Sequence, residues 1–415
     1  MIFTKSKTGD SDIEKLLSEK INSGKLNELL LIVPTNRKVR YLRKDIISRS
    51  PGGICGQMNL ETIGTFSQHL FFGNKDFKED ILSEAAAAVL LKQCFREVDL
   101  KYFSNYKKNI PTGTLERIKN VISHYKRLGI SPERLKEESQ LLIGSEQLKA
   151  LDISLIYDRY SIKINELKLF EIGDIYFNLN NLSEEKFHAA FTKLYPDINL
   201  IIIQGFDEFT SPEIEIINIL STIKDTGLFL ELDYSSNNPM VFKHLESTFS
   251  KLIAKRFTPY TTEENEKYKF RKLIREKLFQ DQKDKYPDFL SSVFEIKAPD
   301  KEKEVGLIAK EIKELVNKNN VKPQQICVVF NLISDYSQIV RDRFTMLGIP
   351  FNLTDRLFLK TSSPVISVLN LFEILENDFY YNNIFRAFSG DILNLDGMNI
   401  TNLRKIGRAS CRERV

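Results

Sequence analysis

Five apolar residues in a row, Leu29-Leu30-Leu31-Ile32-Val33, stop at Pro34-Thr35, and a basic helical stretch follows from Asn36 to about Ser48. An apolar run of this length without a polar break predicts a strand buried on both faces, as in a parallel sheet. A second extended piece, Met58 to Thr62, leads into Gly64-Thr65-Phe66. From Glu79 to about Phe187 the pattern becomes helical. Ser83 caps an alanine-rich helix former that runs through Leu91, and Ser131-Pro132-Glu133 is a helix start with proline at its first position. Strand character returns at Leu200 to Ile203, a helix starts at Thr210-Ser211-Pro212-Glu213, and Leu228 to Leu232 is another strand.

Residues 262–290 are rich in Lys, Glu and Asp and read as a solvated connector or insertion. A new unit follows, with a strand at 293–297, a helix at 301–318, a strand at 326–330 and a helix at 334–347 that closes on Ile349-Pro350-Phe351. Short strands followed by helices predict an α/β fold of parallel sheets with helices on both faces. The predicted organisation is a first α/β domain over 1–78 plus 190–290, a helical insert over 79–189, a second α/β domain over 291–376 and a further insertion opening at 377–405.

Composition narrows the function classes. A chain of 415 residues suits two or three domains, and 42% hydrophobic with 28% charged residues is a globular profile. No apolar run reaches the length of a membrane span, and the start MIFTKSKTGD lacks the apolar core of a signal peptide, so a cytoplasmic protein without membrane contact is expected. Cys55, Cys94, Cys327 and Cys411 lie far apart with no CxxC pair, which argues against structural zinc and a disulfide framework. The four histidines form no HExxH pattern, there is no GxSxG elbow, and a formal charge of +4 does not by itself argue for nucleic acid. Residues 406–415 match, codon by codon, the translation of a short-read sequencing adapter, so the natural protein is expected to continue past about residue 405.

Five segments carry candidate chemistry. Thr4 to Ser11 has part of the phosphate-loop pattern GxxxxGK[ST], in which amides cradle phosphates and lysine neutralises their charge. Gly9 and Ser11 fit, but Thr4 stands at the first glycine and Asp10 at the lysine, where a carboxylate repels phosphate. In Val33 to Leu42, the polar groups Thr35 and Asn36 at a helix N-terminus suit a phosphate, with Arg37, Lys38, Arg40, Arg43 and Lys44 adding charge. The same charges also suit a solvated amphipathic face. In Thr62 to Ser67, Phe66 either stacks beside a base or lies in the core. The apolar run Leu200 to Ile203 ends at Gln204-Gly205, where the helicases that these segments resemble place Asp-Glu to bind the magnesium nucleotide and position water; Asp207-Glu208 comes three residues too late and reads as a loop or cap feature. The fifth segment joins Glu304 to Ile312, Ile326 to Asn331 and Leu347 to Phe351.

Taken in order, these segments resemble the motif series of UvrD-like superfamily 1 helicases, and more closely the helicase-like N-terminal region of AddB-type subunits of bacterial helicase–nuclease complexes. The fifth, spanning some fifty residues in register, is the most specific. The resemblance implies two RecA-like domains, the first interrupted by the helical insert. Active relatives carry an arginine at the place of Asn331, which asparagine cannot replace. The degenerate nucleotide-site positions are thus Thr4, Gly9, Asp10, Ser11, Gln204, Gly205 and Asn331, and no catalytic residue or cofactor is expected in this chain. Thr35, Asn36, Arg37, Lys38, Arg40, Thr65 and Phe66 are the implied DNA contacts. Leu128 to Leu135 and Asp152 to Asp174, with Tyr157 and Tyr160, resemble the AddB helical subdomain, where Arg117, Lys119, Lys126 and Arg127 face either DNA backbone or solvent. The implied partners are single-stranded DNA and an AddA-type helicase/nuclease subunit. The implied role is end resection at double-strand breaks, with magnesium and an iron–sulfur cluster belonging to a C-terminal nuclease part. A scaffold without DNA contact and an active nucleotide-binding enzyme are the rival classes.

Overall fold

The computed structural model describes residues 1–5, 13–53, 55–73, 80–107, 109–260, 269–280, 293–355, 359 and 362–388. The chain divides into two compact units, Met1–Lys285 and Tyr286–Val415. The expected adapter-like tail, 406–415, lies outside the described residues, as do most of the connector and the later part of the second expected insertion.

In the first unit the elements run β1 (Ile2–Thr4), α1 (Ile13–Asn22), β2 (Leu29–Val33), α2 (Asn36–Arg49), β3 (Asn59–Thr62), α3 (Ile63–Phe72), α4 (Glu84–Glu97), α5 (Thr112–Leu128), α6 (Pro132–Ser139), α7 (Ser145–Glu166), α8 (Ile172–Asn180) and α9 (Glu184–Leu194). They continue through β4 (Leu200–Phe206), α10 (Ser211–Leu220), β5 (Gly227–Leu232), α11 (Pro239–Phe242), α12 (Glu246–Ala254), β6 (Thr258–Tyr260) and α13 (Lys269–Lys277). The six strands form one mixed sheet in the order β3-β2-β4-β5-β1-β6. Strands β3, β2, β4 and β5 are parallel neighbours, with Val33 opposite Thr62 and Ile32 opposite Ile203.

Alternate residues of the central strands feed two cores. Leu30, Ile32, Ile201, Ile203, Leu228 and Leu230 face helices α3, α8, α9, α10 and α12, while Leu29, Leu31, Val33, Leu200, Ile202 and Phe229 face α1 and α2. Burial on both faces is why these strands read as unbroken apolar runs. The sequence predicts a parallel sheet, and β1 departs from it: Ile2 pairs with Glu231 and Thr4 with Phe229, an antiparallel register. The Met1 amine and carbonyl both bond to Leu232 at 3.0 Å, which fixes this direction. A buried Ile-Phe-Thr triplet satisfies both cores whichever way it runs, so its apolarity carries no directional signal.

The helical insert has its own core, built from residues between Leu82 and Ile164, mostly on α4, α5 and α7. It is pinched at its base, where Leu82 N–H donates to the Phe170 carbonyl and Phe170 N–H to that of Asp80. Helices α8 and α9, expected within the insert up to 189, instead contribute Ile175, Leu179, Phe187 and Phe191 to the sheet's core. Their apolar faces are amphipathic like those of the insert, so helical periodicity alone does not mark the boundary.

Caps form where the sequence signals them. The Ser83 hydroxyl accepts from Ala86 N–H, that of Ser131 from Arg134 N–H, and Thr210 and Glu213 form a reciprocal capping box.

The second unit contains α14 (Lys301–Lys318), α15 (Ile333–Met346), α16 (Ser363–Glu376) and α17 (Tyr381–Phe388). At 293–297 and 326–330, where strands are expected, the chain forms no ladder, so this unit has no sheet among its described residues. Ile326, Val328 and Phe330 pack on α14 and α15, while Val329 on the other side is 85% exposed. Alternation of this kind gives a strand its faces, but a ladder also needs a second backbone.

Candidate nucleic-acid interface

The parallel order of β3, β2 and β4 brings three loops together at the carboxyl edge of the sheet. The loop after β2 ends in Thr35, the N-cap of α2, whose hydroxyl accepts from Lys38 N–H at 3.2 Å. Beside it, Thr62 caps α3: its hydroxyl accepts from Thr65 N–H at 3.1 Å, and Thr62 N–H donates to the Thr65 hydroxyl at 2.9 Å. Strand β4 contributes half-buried Gln204 and exposed Gly205. Gly205 has φ +78°, and a Cβ built on it would lie 3.8 Å from Pro34 Cδ and 4.0 Å from Lys38 Cε, so the β2 and β4 loops touch here. First-turn amides lack intrahelical partners, so α2 and α3 direct positive dipole ends toward one edge.

The charges at this edge are unevenly placed. Thr35, Asn36, Arg37, Arg40, Arg43 and Lys44 are exposed, and Lys38 is half-buried with its ammonium 5.3 Å from the Tyr41 ring centroid. Arg40 Nε donates to the Asn36 carbonyl at 3.3 Å. On the β4 side Asp207 and Glu208 are exposed in the loop before α10, the loop position expected for them. A polyanion is therefore favoured along the β2–β3 side of the edge and repelled beside β4.

Three sequence-derived positions have particular surroundings. Phe66 is fully buried, its ring stacked on Tyr195 at 5.9 Å between centroids, so it is a core residue and does not meet a base. It points inward because α3 presents Ile63, Phe66 and Leu70 to the sheet. The Thr65 hydroxyl is engaged in the α3 cap. Lys126, expected to face DNA or solvent, is buried: its ammonium lies 3.0 Å from Glu171 Oε2 and 2.9 Å from Asp174 Oδ1, over the Tyr160 ring. Burial first, and the Glu171 charge next, push the Tyr160 phenol above its usual range.

Within the first unit, Thr4 does not meet Gln204 and Gly205. Because β1 is antiparallel, Thr4 pairs with Phe229 near the start of β5 and leaves the sheet at its amino edge, opposite Gln204 and Gly205. There Lys5 Nζ donates to Asn218 at 2.6 Å, and desolvation, with Lys255 and Arg256 nearby, holds its ammonium below the usual lysine range. Phosphates in such sheets bind outside the carboxyl ends of the strands, so Thr4 starts from the wrong edge. Gly9, Asp10 and Ser11 lie outside the described residues. Asn331 is exposed in the second unit, just ahead of α15.

Among the described residues no three His, Cys, Asp or Glu side chains converge to hold a metal ion. The Cys94 thiol is buried, and desolvation pushes it up to about 11. No described helix is long and apolar enough to cross a membrane.

These features define an α/β protein with a helical insertion between β3 and β4 and a polar, partly basic carboxyl edge. The chain belongs to the AddB N-terminal family, whose model matches residues 2–282. It is similar to the B subunit of the ATP-dependent helicase/deoxyribonuclease of Thermoanaerobacter sp. (strain X514), 22% identical over 93% of this chain and 34% of that protein. The same-named proteins of Clostridium tetani (strain Massachusetts / E88) and Clostridioides difficile (strain 630) are 22% and 25% identical, over 95% and 77% of this chain and 36% and 28% of theirs. The chain spans about a third of the length of the curated relatives it matches.

Proposed function

We propose that this chain is the DNA-handling and partner-binding front part of an AddB-type nuclease subunit, acting in double-strand break end resection without hydrolysing ATP. The observation that carries the reading is the carboxyl edge: two capped helix N-termini, an open Gly205 and the exposed cations of α2 lie together there, while Thr4 lies at the other edge. Two RecA-like domains, the second incomplete in its sheet, are the architecture this reading assumes. The parallel succession β3-β2-β4-β5 supports it in the first unit. Asp10, Gln204 and Asn331 each stand where phosphoryl transfer needs a different group, which argues against a motor. The curated relatives are named as subunits of a helicase/deoxyribonuclease, which supports an AddA-type partner for this chain. Magnesium and an iron–sulfur cluster belong, on this reading, to a nuclease region outside this chain.

The test is the affinity of the full chain for single-stranded DNA as a function of salt. Neutralised phosphates release counterions, and the log–log slope is roughly −0.7 per contact on a single strand. Replacing Arg37, Lys38 and Arg40 by alanine should weaken binding and flatten that slope. Unchanged affinity and slope would remove this edge from the DNA path, and a chain without salt-dependent binding would be a scaffold. Stabilisation or turnover by ATP would refute the retired motor.

A further inference from the structure

Helix α2 turns Val39, Leu42 and Ile46 into the core, and its one aromatic residue, Tyr41, faces the other way. Tyr41 is 60% exposed. Arg37 stands four residues before it and Lys44 three residues after, which puts both on the same stripe of the helix. The Lys38 ammonium lies 5.3 Å from the ring centroid, a cation–π contact that restrains the ring on the exposed surface. The one carboxylate of the helix, Asp45, pairs with Arg49 at 3.4 Å. The stripe thus alternates cation, aromatic face and cation, beginning in the first turn after the N-cap Thr35 at the carboxyl edge.

Resting on the DNA reading above, we propose that Tyr41 is a stacking platform for an unpaired base of single-stranded DNA, with Arg37 and Lys44 holding the flanking phosphates. An exposed aromatic ring offers a π-face that every base can cover, and the cations beside it neutralise the backbone. A duplex hides its base faces inside the stack, so the ring selects an unpaired strand. This site is separate from Phe66, whose ring is enclosed in the core.

The experiment is fluorescence anisotropy of a labelled oligothymidylate with the full chain at several salt concentrations. It compares the unaltered protein with Tyr41→Ala, Tyr41→Phe and the pair Arg37→Ala with Lys44→Ala, each checked for its fold by circular dichroism. Tyr41→Ala should weaken binding about tenfold with the salt slope unchanged, because stacking releases no counterions. Tyr41→Phe should bind like the unaltered chain, and the charge pair should flatten the slope. On a strand of abasic sites the unaltered chain and Tyr41→Ala should bind alike. If the unaltered chain binds with a steep salt slope and Tyr41→Ala matches it, stacking is overturned and the DNA reading stands. If Tyr41→Ala flattens the slope as the charge pair does, the ring only positions Lys38 and the proposal fails. If the unaltered chain shows no salt-dependent affinity, both readings fall together.

Discussion

Replacing Lys126 by methionine tests what holds the helical insert to the sheet. The lysine side chain is 3% exposed, and its ammonium sits between Glu171 and Asp174, themselves 14% and 23% exposed. Methionine keeps most of the stem packing but leaves two carboxylates facing a mostly dry crossing of α5 and α8. Removing one partner of a buried pair costs about 3–5 kcal/mol, against about 0–1 kcal/mol for a surface pair. Some donors remain: Tyr160 and Ser123 hydroxyls reach Glu171 Oε1 at 3.0 and 3.2 Å, and Glu171 N–H reaches Asp174 at 2.9 Å. Glu171 Oε2 has the ion pair with Lys126 but no hydrogen bond, so it loses the most. The expected loss is therefore at the lower end, about 3 kcal/mol. The chain has no tryptophan, so urea unfolding followed by far-ultraviolet circular dichroism is the assay, with hydrogen exchange of α5 and α8 locating the loss. Adding Glu171→Gln and Asp174→Asn should recover most of it, since neutral amides no longer need a counter-ion. A loss below about 1 kcal/mol, or a triple variant no better than the single one, would refute the argument that this charge cluster is buried.

Other expectations follow from the same geometry. Gly173→Ala would place a Cβ 2.6 Å from the Lys126 carbonyl carbon, so α5 and α8 must separate; a loss of about 1–3 kcal/mol in the same urea assay is expected, and a neutral substitution would contradict the close crossing. Phe66→Ala should cost about 3–5 kcal/mol of stability, while Phe66→Leu, if folded, should bind single-stranded DNA as the unaltered chain does. The Glu28 carboxyl, held at about 2 chiefly by hydrogen bonds from Lys20 and Asn199, has a folded pKa below its ordinary 4.5. Its contribution is therefore present above pH 4.5 and lost as pH falls towards about 2, so Glu28→Gln and the unaltered chain should differ in melting temperature at neutral pH and converge at the acid end. Cys94, with its thiol raised to about 11, should resist iodoacetamide at pH 8 while exposed Cys327 reacts, as read by peptide mapping; equal rates would contradict its burial.

Much of the fold was legible because its signals are local or periodic. The runs Leu29 to Val33 and Leu200 to Ile203, the caps at Ser83, Ser131 and Thr210, and the helices at 301–318 and 333–346 all lie where hydrophobic period and capping chemistry place them. What escaped depends on partners far along the chain. The direction of β1 is decided by Leu232 and Phe229, and the apolar positions at 326–330 mark a face without revealing whether a second backbone stands beside it. The candidate interface divides in the same way. Thr35 as a helix cap was readable from its own neighbourhood, whereas Phe66 looked equally suited to a base or a core until Tyr195 and Phe191 were seen around it. Lys126 shows the limit from the other side: its role comes from two carboxylates some fifty residues later, a separation that no helical period reports. Tyr41 was hidden within a motif, and the available signal was its place outside the 3.6-residue apolar repeat of α2.

The pinched base of the insert also has a consequence for synthesis on the ribosome. Strand β2 pairs with β3 early, but its other neighbour, β4, emerges roughly 140 residues after β3 ends, which at about 5–20 residues per second is a delay on the order of ten seconds. Throughout that interval the apolar edge of β2 has no backbone to receive it. Helices α4 to α7 bury their apolar residues among themselves, and the bridge at Ile81 and Phe170 closes behind them, so the insert can fold before β4 appears. With the insert's ends joined at that bridge, pairing β4 closes a loop of roughly fifty residues instead of roughly 140.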